Sequence, residues 1–413
     1  FDSSCWPKFR GLRAMDSALH QGPQEPAAFH PLGPPLLARR WRSLSSGSRR
    51  DIDGLEAPCK RARGAVDGSE PFPVLSFNVL ADCKQGAEKW PAEMPAGTLA
   101  WEGRRWRLLR EICDQAPDLL LLQEMDHGAD FFMPELRRLG FDGVLQGDPS
   151  LATDCCAVFF RTGRFRLVRA CHALAACGAA AAVLEHLGAG AAAGHVARRL
   201  FLLAASVHLH SGKDQAAEAA RAEQASALLR GLQAAASPSA APELIAAPAG
   251  GPAGGGGGPD IALVVAGDLN AEPWRSSNAG EPLAYRAVLG HALGLRSAYA
   301  AWRPPGGDAA APPGALPYTT WKRRPGLGEV KRTIDYVFLG PTLAAVALLD
   351  PLDDEQVPPE RLPTLAYPSD HISIGADVAF AGRAGAGSSL ASCAKPAAPS
   401  SRAQDPPLSP EKK

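Results

Sequence analysis

Short apolar runs alternate with segments of helical periodicity along residues 71–380. The runs at 119–123 and 261–266 are almost entirely apolar, which is typical of strands buried on both faces. Residues 99–116 and 214–236 have the pattern of helices instead. Further elements are predicted as a helix at 131–139 and as strands at 74–80, 157–160, 165–170 and 200–208. Strands and helices thus interleave without regular crossover helices, and this order predicts a layered α/β fold.

Composition divides the chain into one folded domain and less ordered segments. Residues 71–380 carry the periodic pattern and are predicted to form a single domain. The tails at 1–70 and 381–413 are rich in small residues and proline, so both are predicted to be disordered. Two flexible insertions are expected inside the domain. One is alanine-rich and spans about 173–194, and the other spans about 237–259 and contains a run of five glycines.

Charge and hydropathy exclude two classes of protein. Over 413 residues, 43 Lys and Arg balance 43 Asp and Glu, so the formal net charge is zero. A positive field over the whole surface, of the kind that binds nucleic acid non-specifically, is therefore not expected, but zero net charge is compatible with local basic patches. No apolar stretch approaches the roughly 18 residues of a membrane span, so we predict no contact with a membrane.

The N-terminal composition and the cysteines bear on the compartment. Residues 29–50 contain five arginines and several serines but no acidic residue. This composition is typical of an organelle transit peptide, and equally of a plain basic tail. The nine cysteines are irregularly spaced and form no C-x-x-C pair, which favours reduced thiols in an intracellular compartment. We predict the cytoplasm, with a mitochondrion or plastid as the alternatives.

Polar side chains follow the predicted strands at six places along the chain. The residues at these places are Asn78, Glu124, His208, Asp268 with Asn270, Asp335, and Asp370 with His371. Because strand ends meet at one edge of a layered sheet, these residues are expected to form one site. Carboxylate and amide oxygens suit a hard cation such as Mg²⁺, and no cysteine joins them. A metal with an Asp–His pair is suited to cleaving a phosphorus–oxygen bond.

Several motifs carry a family resemblance. These motifs are FNVLA at 77–81, LQE at 122–124, VHL at 207–209, GDLNAEP at 267–273 and SDH at 369–371. They resemble the endonuclease/exonuclease/phosphatase superfamily, whose fold is a two-sheet α/β sandwich like that of DNase I. A finer resemblance, to the nocturnin-like group of its deadenylase branch, rests on LLQEMDH at 121–127, PYTTWK at 317–322, TIDYVF at 333–338 and RLPTLAYPSDH at 361–371.

The resemblance implies a metal centre. It implies Mg²⁺, with Mn²⁺ as the alternative, bound by Glu124. Asn78 would support both the metal and the phosphate, and Asp370 would lie near the metal.

The resemblance also implies roles in the hydrolysis. Asp268 would position or deprotonate the attacking water, while Asn270 and His208 would hold phosphate oxygens. His371 would contact the scissile phosphate and be oriented by Asp335. The reaction would be an in-line attack without a covalent enzyme intermediate.

Basic and aromatic residues lie side by side after position 317 and suggest substrate contacts. Lys322 and Arg324 resemble basic substrate-binding positions of the family, and Tyr318 and Trp321 could stack on a base. The alternative is a solvated charged hairpin with Trp321 in the core. Three departures from the family pattern, at Asp148, Cys155 and His210, weaken the match at the substrate's further phosphates. By the resemblance, Lys213 would replace, at a displaced position, the lysine that the family has near position 210.

Two activities follow from the resemblance, and both use the same centre. The first is a 3′–5′ exoribonuclease of the poly(A) deadenylase type, and the second is an NADP(H) 2′-phosphatase. A catalytically inactive protein that binds RNA or a partner is the third interpretation, but every expected metal and acid–base residue is present. The expected partner is therefore a substrate, an RNA 3′ end or NADP(H), with no obligate protein partner and a monomeric chain.

Overall fold

The computed structural model describes residues 34–44, 70–147, 154–187, 199–237, 261–274, 280–303 and 315–381. The helices in these ranges are α1 (Trp101–Gln115), α2 (Met133–Arg138), α3 (Gln215–Ala235) and α4 (Leu283–Gly290). The strands are β1 (Trp41–Ser43), β2 (Phe72–Asn78), β3 (Leu119–Met125), β4 (Phe141–Leu145), β5 (Cys155–Arg161), β6 (Phe165–Ala170), β7 (Ala179–His186), β8 (Leu200–His208), β9 (Ile261–Asp268), β10 (Arg296–Ser297), β11 (Thr320–Arg324), β12 (Gly328–Arg332), β13 (Asp335–Leu339), β14 (Leu343–Leu349) and β15 (Ile374–Phe380).

The described strands form two mixed sheets and one hairpin. One sheet has the order β1-β14-β15-β2-β3-β5-β4, and the other has the order β10-β13-β9-β8-β7-β6. Strands β11 and β12 pair with each other as a separate antiparallel hairpin. The predicted two-sheet α/β sandwich is confirmed.

Each sheet contains one parallel pair of strands near its centre. Strand β2 pairs in parallel with β3, and α1 lies between them in the chain. In the second sheet β8 pairs in parallel with β9, and α3 lies between them in the chain. The carboxyl ends of two parallel strands lie at the same edge of their sheet. Each pair therefore brings the last side chains of its two strands close together.

The second sheet is buried on both faces, which explains its apolar strands. Successive side chains of a strand point to opposite faces. Leu202 and Ala204 of β8 join the core between the two sheets, whereas Leu203 and Ala205 join a second core. That second core also contains Leu228 of α3, so the helices cover the outer face of this sheet.

The alanine-rich segment predicted as a flexible insertion at 173–194 is instead largely ordered. Residues 179–186 form β7, which is buried along its whole length and pairs with β6 and β8. Ala180 and Ala182 face the core between the sheets, and Ala179 and Ala181 face the helical side. The pattern was misleading because a strand buried on both faces by small residues shows no alternation of polar and apolar positions. Residues 188–198 lie outside the described ranges.

The prediction that residues 1–70 are disordered is wrong for 34–44. Strand β1 in this segment pairs with β14 and extends the first sheet at its edge. Only three residues of the segment form ladder pairs, which is too short a run to show a period in the sequence. Residues 1–33, 45–69 and 382–413, and all of the glycine-rich insertion except Ser237, lie outside the described ranges. In the part of the chain that the structure describes, no helix is both long and apolar enough to cross a membrane.

His186 at the end of β7 is a buried histidine without polar partners. It is 3% exposed, and its ring packs against Phe72, Phe165 and Phe380 at centroid distances of 5.7, 5.3 and 5.5 Å. Neither ring nitrogen has a hydrogen-bond partner among the described residues. Burial and, to a smaller extent, the nearby Arg164 lower the pKa of His186 to about 4 against an opposing effect of Glu70.

This pKa predicts that His186 makes the fold sensitive to acid. The unfolded chain protonates this histidine near pH 6.5 and the folded chain only near pH 4, so stability falls as the pH drops through that window. The loss amounts to about 3 kcal/mol. The unfolding free energy of the wild-type protein should therefore fall by about 3 kcal/mol more than that of the His186→Phe variant when the pH is lowered from 7 to 4. Urea unfolding at the two pH values measures both changes.

The control is His172→Phe, because His172 is exposed. This variant should follow the wild-type pH dependence, including the acid sensitivity that arises from carboxylates. Parallel pH profiles for the wild-type protein and His186→Phe would show that His186 does not carry the effect.

Candidate active site

The carboxyl ends of the two parallel pairs meet at one place and supply four polar side chains. Asn78 ends β2, Glu124 lies near the end of β3, His208 ends β8 and Asp268 ends β9. The Nδ2 of Asn78 donates to Glu124 Oε1 at 3.1 Å and to Asp268 Oδ2 at 3.2 Å. His208 Nε2 lies 3.9 Å from Glu124 Oε1 and 3.7 Å from Asp268 Oδ2. Residues that are far apart in the chain therefore form one cluster.

Strained backbone accompanies two of the predicted site residues. Glu124 and Asn270 both have a φ of 53°, in the left-handed region that favours glycine. The pairing of β3 with β5 shifts register between Leu122 and Met125, so Glu124 lies in an irregular stretch of its strand. Such outliers collect at functional sites, where the surrounding structure holds them in place.

Asn270 is fixed from two sides. Its side-chain Nδ2 donates to the carbonyl of Leu209 at 3.0 Å, and its backbone N–H donates to Asp268 Oδ1 at 2.7 Å. The loop after β9 is thus tied to the loop after β8. Gly267 is required just before it, because a Cβ there would lie 2.0 Å from the carbonyl oxygen of Val207.

His371 and Asp335 form a buried pair, as the sequence predicted. His371 Nδ1 lies 2.9 Å from Asp335 Oδ2, and the hydroxyl of Thr319 donates to the same carboxylate. Burial alone would lower the pKa of His371, but Asp335 and Asp370 outweigh it and raise the pKa to about 9. His371 is therefore an imidazolium at neutral pH, with Nε2 directed away from Asp335 and 3.9 Å from Asp268 Oδ2.

The pKa values of Asp268 and Glu124 are shifted in opposite directions. Burial raises the pKa of Asp268, and the neighbouring Asp335 carboxylate raises it further, so Asp268 is a stronger base than an ordinary aspartate. Burial also opposes ionisation of Glu124, and so does Asp370, but His208 and His371 outweigh both and lower its pKa. Glu124 is thus held as a carboxylate.

Asp370 anchors two basic residues of β11, Lys322 and Arg324. Its Oδ2 accepts from Lys322 Nζ at 2.6 Å and from Arg324 Nη2 at 3.1 Å. Despite burial, these cations and His371 hold the pKa of Asp370 well below its usual range. The guanidinium of Arg324 also stacks on the ring of Trp90 at 3.9 Å and donates to the carbonyl of Lys89 at 3.0 Å.

The donor set fits a hard cation. Oxygen or nitrogen atoms of Glu124, His208 and Asp268 all lie within 4.8 Å of one another. Asp370 Oδ1 is buried and has no hydrogen-bond partner among the described residues, which leaves an acceptor oxygen available to an ion. Asp370 also raises the pKa of Glu124, so the two carboxylates lie close enough to repel each other. The acidic and histidine side chains of this cluster can hold a metal ion.

The cluster lines a cavity of about 330 Å³ with a basic rim. Acidic groups in the lining come from Glu124, Asp268 and Asp370. The basic groups around them are Lys84, Lys89, Lys213, Lys322, Arg324 and Arg332. The excess of cations suits an anionic substrate larger than one phosphate.

Tyr318 and Trp321 do not offer a stacking surface, which corrects the prediction for both. Tyr318 is fully buried and donates its hydroxyl to the carbonyl of Leu352 at 2.7 Å. Trp321 is 5% exposed, with Lys331 and Arg361 packed over its ring. The reason is strand alternation, because a strand that turns Lys322 towards the cavity turns its neighbour Trp321 the other way. The alternative interpretation is correct in placing Trp321 in the core, but Lys322 and Arg324 line the cavity.

The cavity also includes residues that the sequence did not single out. Lys84 and Lys89 reach it from the loop after β2, and Arg332 reaches it from β12. Asn78 was expected to contact phosphate, yet it does not line the cavity. It contacts the carboxylates of Glu124 and Asp268 instead. Trp90, which contacts Arg324 from the loop after β2, gave no motif signal because its role depends on a contact with a distant strand, β11.

The departures from the family pattern fall mostly away from the cavity. Cys155 lies at the start of β5, where its thiol contacts the carbonyl of Met125 at 3.3 Å. His210 is exposed and is absent from the cavity lining, whereas Lys213 is part of it. Asp148 lies outside the described residues.

The family of the chain follows from this geometry together with a direct match. Residues 75–371 match the model of the Endonuclease/Exonuclease/phosphatase family. The chain belongs to this family and is a phosphoesterase. The match spans both sheets and every residue of the cluster.

Within this family, the chain is similar to nocturnin in both sequence and structure. Nocturnin of Rattus norvegicus is 30% identical over 377 residues, which covers 86% of this chain and 76% of that protein. The structure of the human nocturnin catalytic domain with a bound sulfate anion is 26% identical and superimposes with a TM-score of 0.51 over 83% of this chain and 97% of that one. The predicted resemblance to nocturnin is confirmed.

A more distant solved structure shares the fold. ANGEL2, described as a 2′,3′-cyclic phosphatase in complex with adenosine-2′,3′-vanadate, superimposes with a TM-score of 0.57 at 18% identity. The superposition covers 83% of this chain and 99% of the ANGEL2 chain.

The contact between Trp90 and Arg324 predicts an effect on substrate affinity. A desolvated cation–π contact is worth about 1–2 kcal/mol, so Trp90→Leu should raise KM about 5- to 30-fold with a smaller change in kcat. Steady-state kinetics well below the unfolding temperature would measure this.

A matched control is available in α1. Trp106 stacks on Arg105 at 5.5 Å but lies outside the cavity lining, so Trp106→Leu should leave KM unchanged. A fall in kcat at constant KM in Trp90→Leu would mean that Trp90 does not act through substrate binding.

Proposed function

We propose that this protein is a Mg²⁺-dependent phosphoesterase that cleaves adenosine-linked phosphate esters, as a 3′–5′ exoribonuclease of the deadenylase type. The observation that carries the proposal is the position of the basic rim. Lys322 and Arg324 lie in the same cavity as Glu124, Asp268 and His371, so a phosphate held by the rim lies beside the acid–base residues. The resemblance of the motifs to the nocturnin-like group of the deadenylase branch supports the substrate class.

The exoribonuclease proposal is supported by a second, shallow cavity. It adjoins the first at Arg324 and is also lined by Arg323 and by residues 91–93. A polynucleotide substrate needs room beyond the nucleotide that is cleaved, and cations there suit its next phosphodiester.

The chemistry assigns one task to each side chain. Asp268, a base strengthened by burial, accepts the proton of the attacking water. His371 carries a positive charge and donates from Nε2 to an oxygen of the scissile phosphate, while Asp335 fixes its orientation through Nδ1. His208 and Asn270 hold further phosphate oxygens.

The metal would be held by Glu124 and Asp370, with the amide of Asn78 fixing the orientation of Glu124. Oxygen donors favour Mg²⁺, with Mn²⁺ as the alternative. When bound, the ion neutralises charge that develops on the phosphate oxygens.

A dinucleotide substrate is the second candidate. The main cavity of about 330 Å³ lies near the lower end of the size range of small-molecule sites, about 300–1,000 Å³. Zero net charge also favours a small substrate over a long polyanion. We therefore retain an NADP(H) 2′-phosphatase as the alternative. An inactive binding protein is the least favoured interpretation, because the acid–base residues are paired as catalysis requires.

Two assays in parallel decide between these activities. The full chain is incubated with Mg²⁺ and either an A-tailed RNA or NADPH, and RNA shortening and phosphate release are measured. RNA shortening alone supports the exoribonuclease. Phosphate release alone makes the protein an NADP(H) phosphatase and overturns the first proposal. Silence on both substrates, with EDTA and Mn²⁺ arms included, would contradict both.

Substitution of either carboxylate predicts a large loss of rate. Glu124→Gln removes a metal ligand and Asp268→Asn removes the base, so each should lower kcat by at least about 10³, or roughly 4 kcal/mol. Glu135→Gln is the control, because Glu135 forms an ion pair with Arg138 on α2 and lies outside the cavity lining. Near-normal activity in Asp268→Asn would refute the assignment of the base.

A further inference from the structure

Arg39 comes from the N-terminal segment 34–44, yet its side chain is buried in the catalytic domain. Its side chain is 2% exposed and that of Glu111 on α1 is 1% exposed, with 3.1 Å between Arg39 Nη1 and Glu111 Oε1. The same nitrogen donates to Tyr367 Oη at 3.1 Å and to Ser373 Oγ at 2.8 Å. Arg39 Nη2 donates to the carbonyls of Ser373 at 2.7 Å and Asp350 at 3.0 Å.

These acceptors flank the loop that carries two residues of the site. Tyr367 precedes Asp370 and His371 in the chain, and Ser373 follows them. The backbone of the segment adds a further contact, because the N–H of Leu37 donates to the carbonyl of Ala366 at 3.2 Å. Arg39 therefore contacts both ends of the loop at 366–373.

Tyr367 and Ser373, which accept from Arg39, also join the two ends of the loop to each other. The N–H of Ser373 donates to Tyr367 Oη at 2.9 Å, and the hydroxyl of Ser373 donates to Glu111 Oε1 at 2.7 Å. Removing the guanidinium would leave Glu111 as a buried carboxylate without its cation, which is strongly unfavourable. Glu111 would then be hydrated through an opening of the loop or take up a proton, since burial raises its pKa, and either change removes the ionic contact that holds the loop.

We propose that Arg39 is a positioning residue for Asp370 and His371, so that the segment before β2 is part of the catalytic unit. Arg39 touches neither the cavity nor the substrate and acts through the loop that it holds. A shift of about 1 Å in a reacting group is enough to lower a rate about 10²-fold. The kinetic part of the proposal rests on the proposed function, whereas the structural part does not.

The test compares Arg39→Ala, Arg39→Lys and the control Arg40→Ala in the full chain. Arg40 is the next residue and its side chain is 80% exposed, so it offers the same charge change without the buried contacts. Backbone hydrogen–deuterium exchange is followed in the peptides that cover 366–376, and in those that cover β7 and β8 as an internal reference. Initial rates are measured on whichever of the A-tailed RNA and NADPH the wild-type protein cleaves.

We expect exchange at 366–376 to rise at least tenfold in Arg39→Ala while exchange in β7 and β8 stays unchanged. The kcat should fall at least tenfold at a temperature well below unfolding, and Arg39→Lys should recover part of it. Arg40→Ala should match the wild-type protein in both measurements. Should Arg39→Ala fail to fold, Arg39→Lys carries the same comparison, because an ammonium group cannot reach all five acceptor positions.

Two results would overturn the proposal. Unchanged exchange at 366–376 with unchanged kcat would show that the loop holds its position without Arg39. A uniform rise in exchange over the whole domain, with kcat falling only in proportion to the folded fraction, would show a purely structural role. If the wild-type protein cleaves neither substrate, the proposed function fails while the exchange data still decide the role of Arg39.

Discussion

Four neighbouring carboxylates, three that line the cavity and Asp335 behind His371, form the constraint on which the rest of the structure depends. Glu124, Asp268, Asp335 and Asp370 lie close enough that Asp335 raises the pKa of Asp268 and Asp370 raises that of Glu124. So much negative charge is stable in a buried place only if cations accompany it. The charged His371, the basic residues of β11 and the ion that the cluster can hold supply the balance. The basic residues that provide this balance line the same cavity as three of the carboxylates.

The fold meets this constraint by bringing different parts of the chain to one edge. The two central parallel pairs contribute a carboxylate each, and the loop before β15 contributes Asp370 and His371. The hairpin β11–β12 then covers the loop, since Thr320 donates to the carbonyl of Asp370 and the N–H of Ile372 donates to the carbonyl of Thr319. Catalytic geometry therefore depends on elements that are distant in sequence.

Sequence patterns predicted the polar cluster well because each residue follows a strand whose apolar run is easy to detect. The patterns also predicted the long helices α1 and α3, because helical periodicity is equally easy to detect over several turns. Strand β7 was missed because it is buried on both faces by alanine, so its sequence lacks alternation. The exposure of Trp321 was misjudged because a motif shows which residues are adjacent, not which face of β11 each one occupies. Strand β1 pairs with β14, a contact across more than 300 residues that no local pattern records.

The positive φ angles of Glu124 and Asn270 have a practical consequence for trapping a complex. Each non-glycine residue in that region costs about 1–3 kcal/mol, which neighbouring contacts offset. Glycine at either position would relax the backbone while deleting the functional side chain. In such inactive proteins the relieved backbone strain would offset the loss of the hydrogen bonds that the Glu124 and Asn270 side chains make. These inactive proteins are thus suitable starting points for crystallising the protein with an uncleaved substrate.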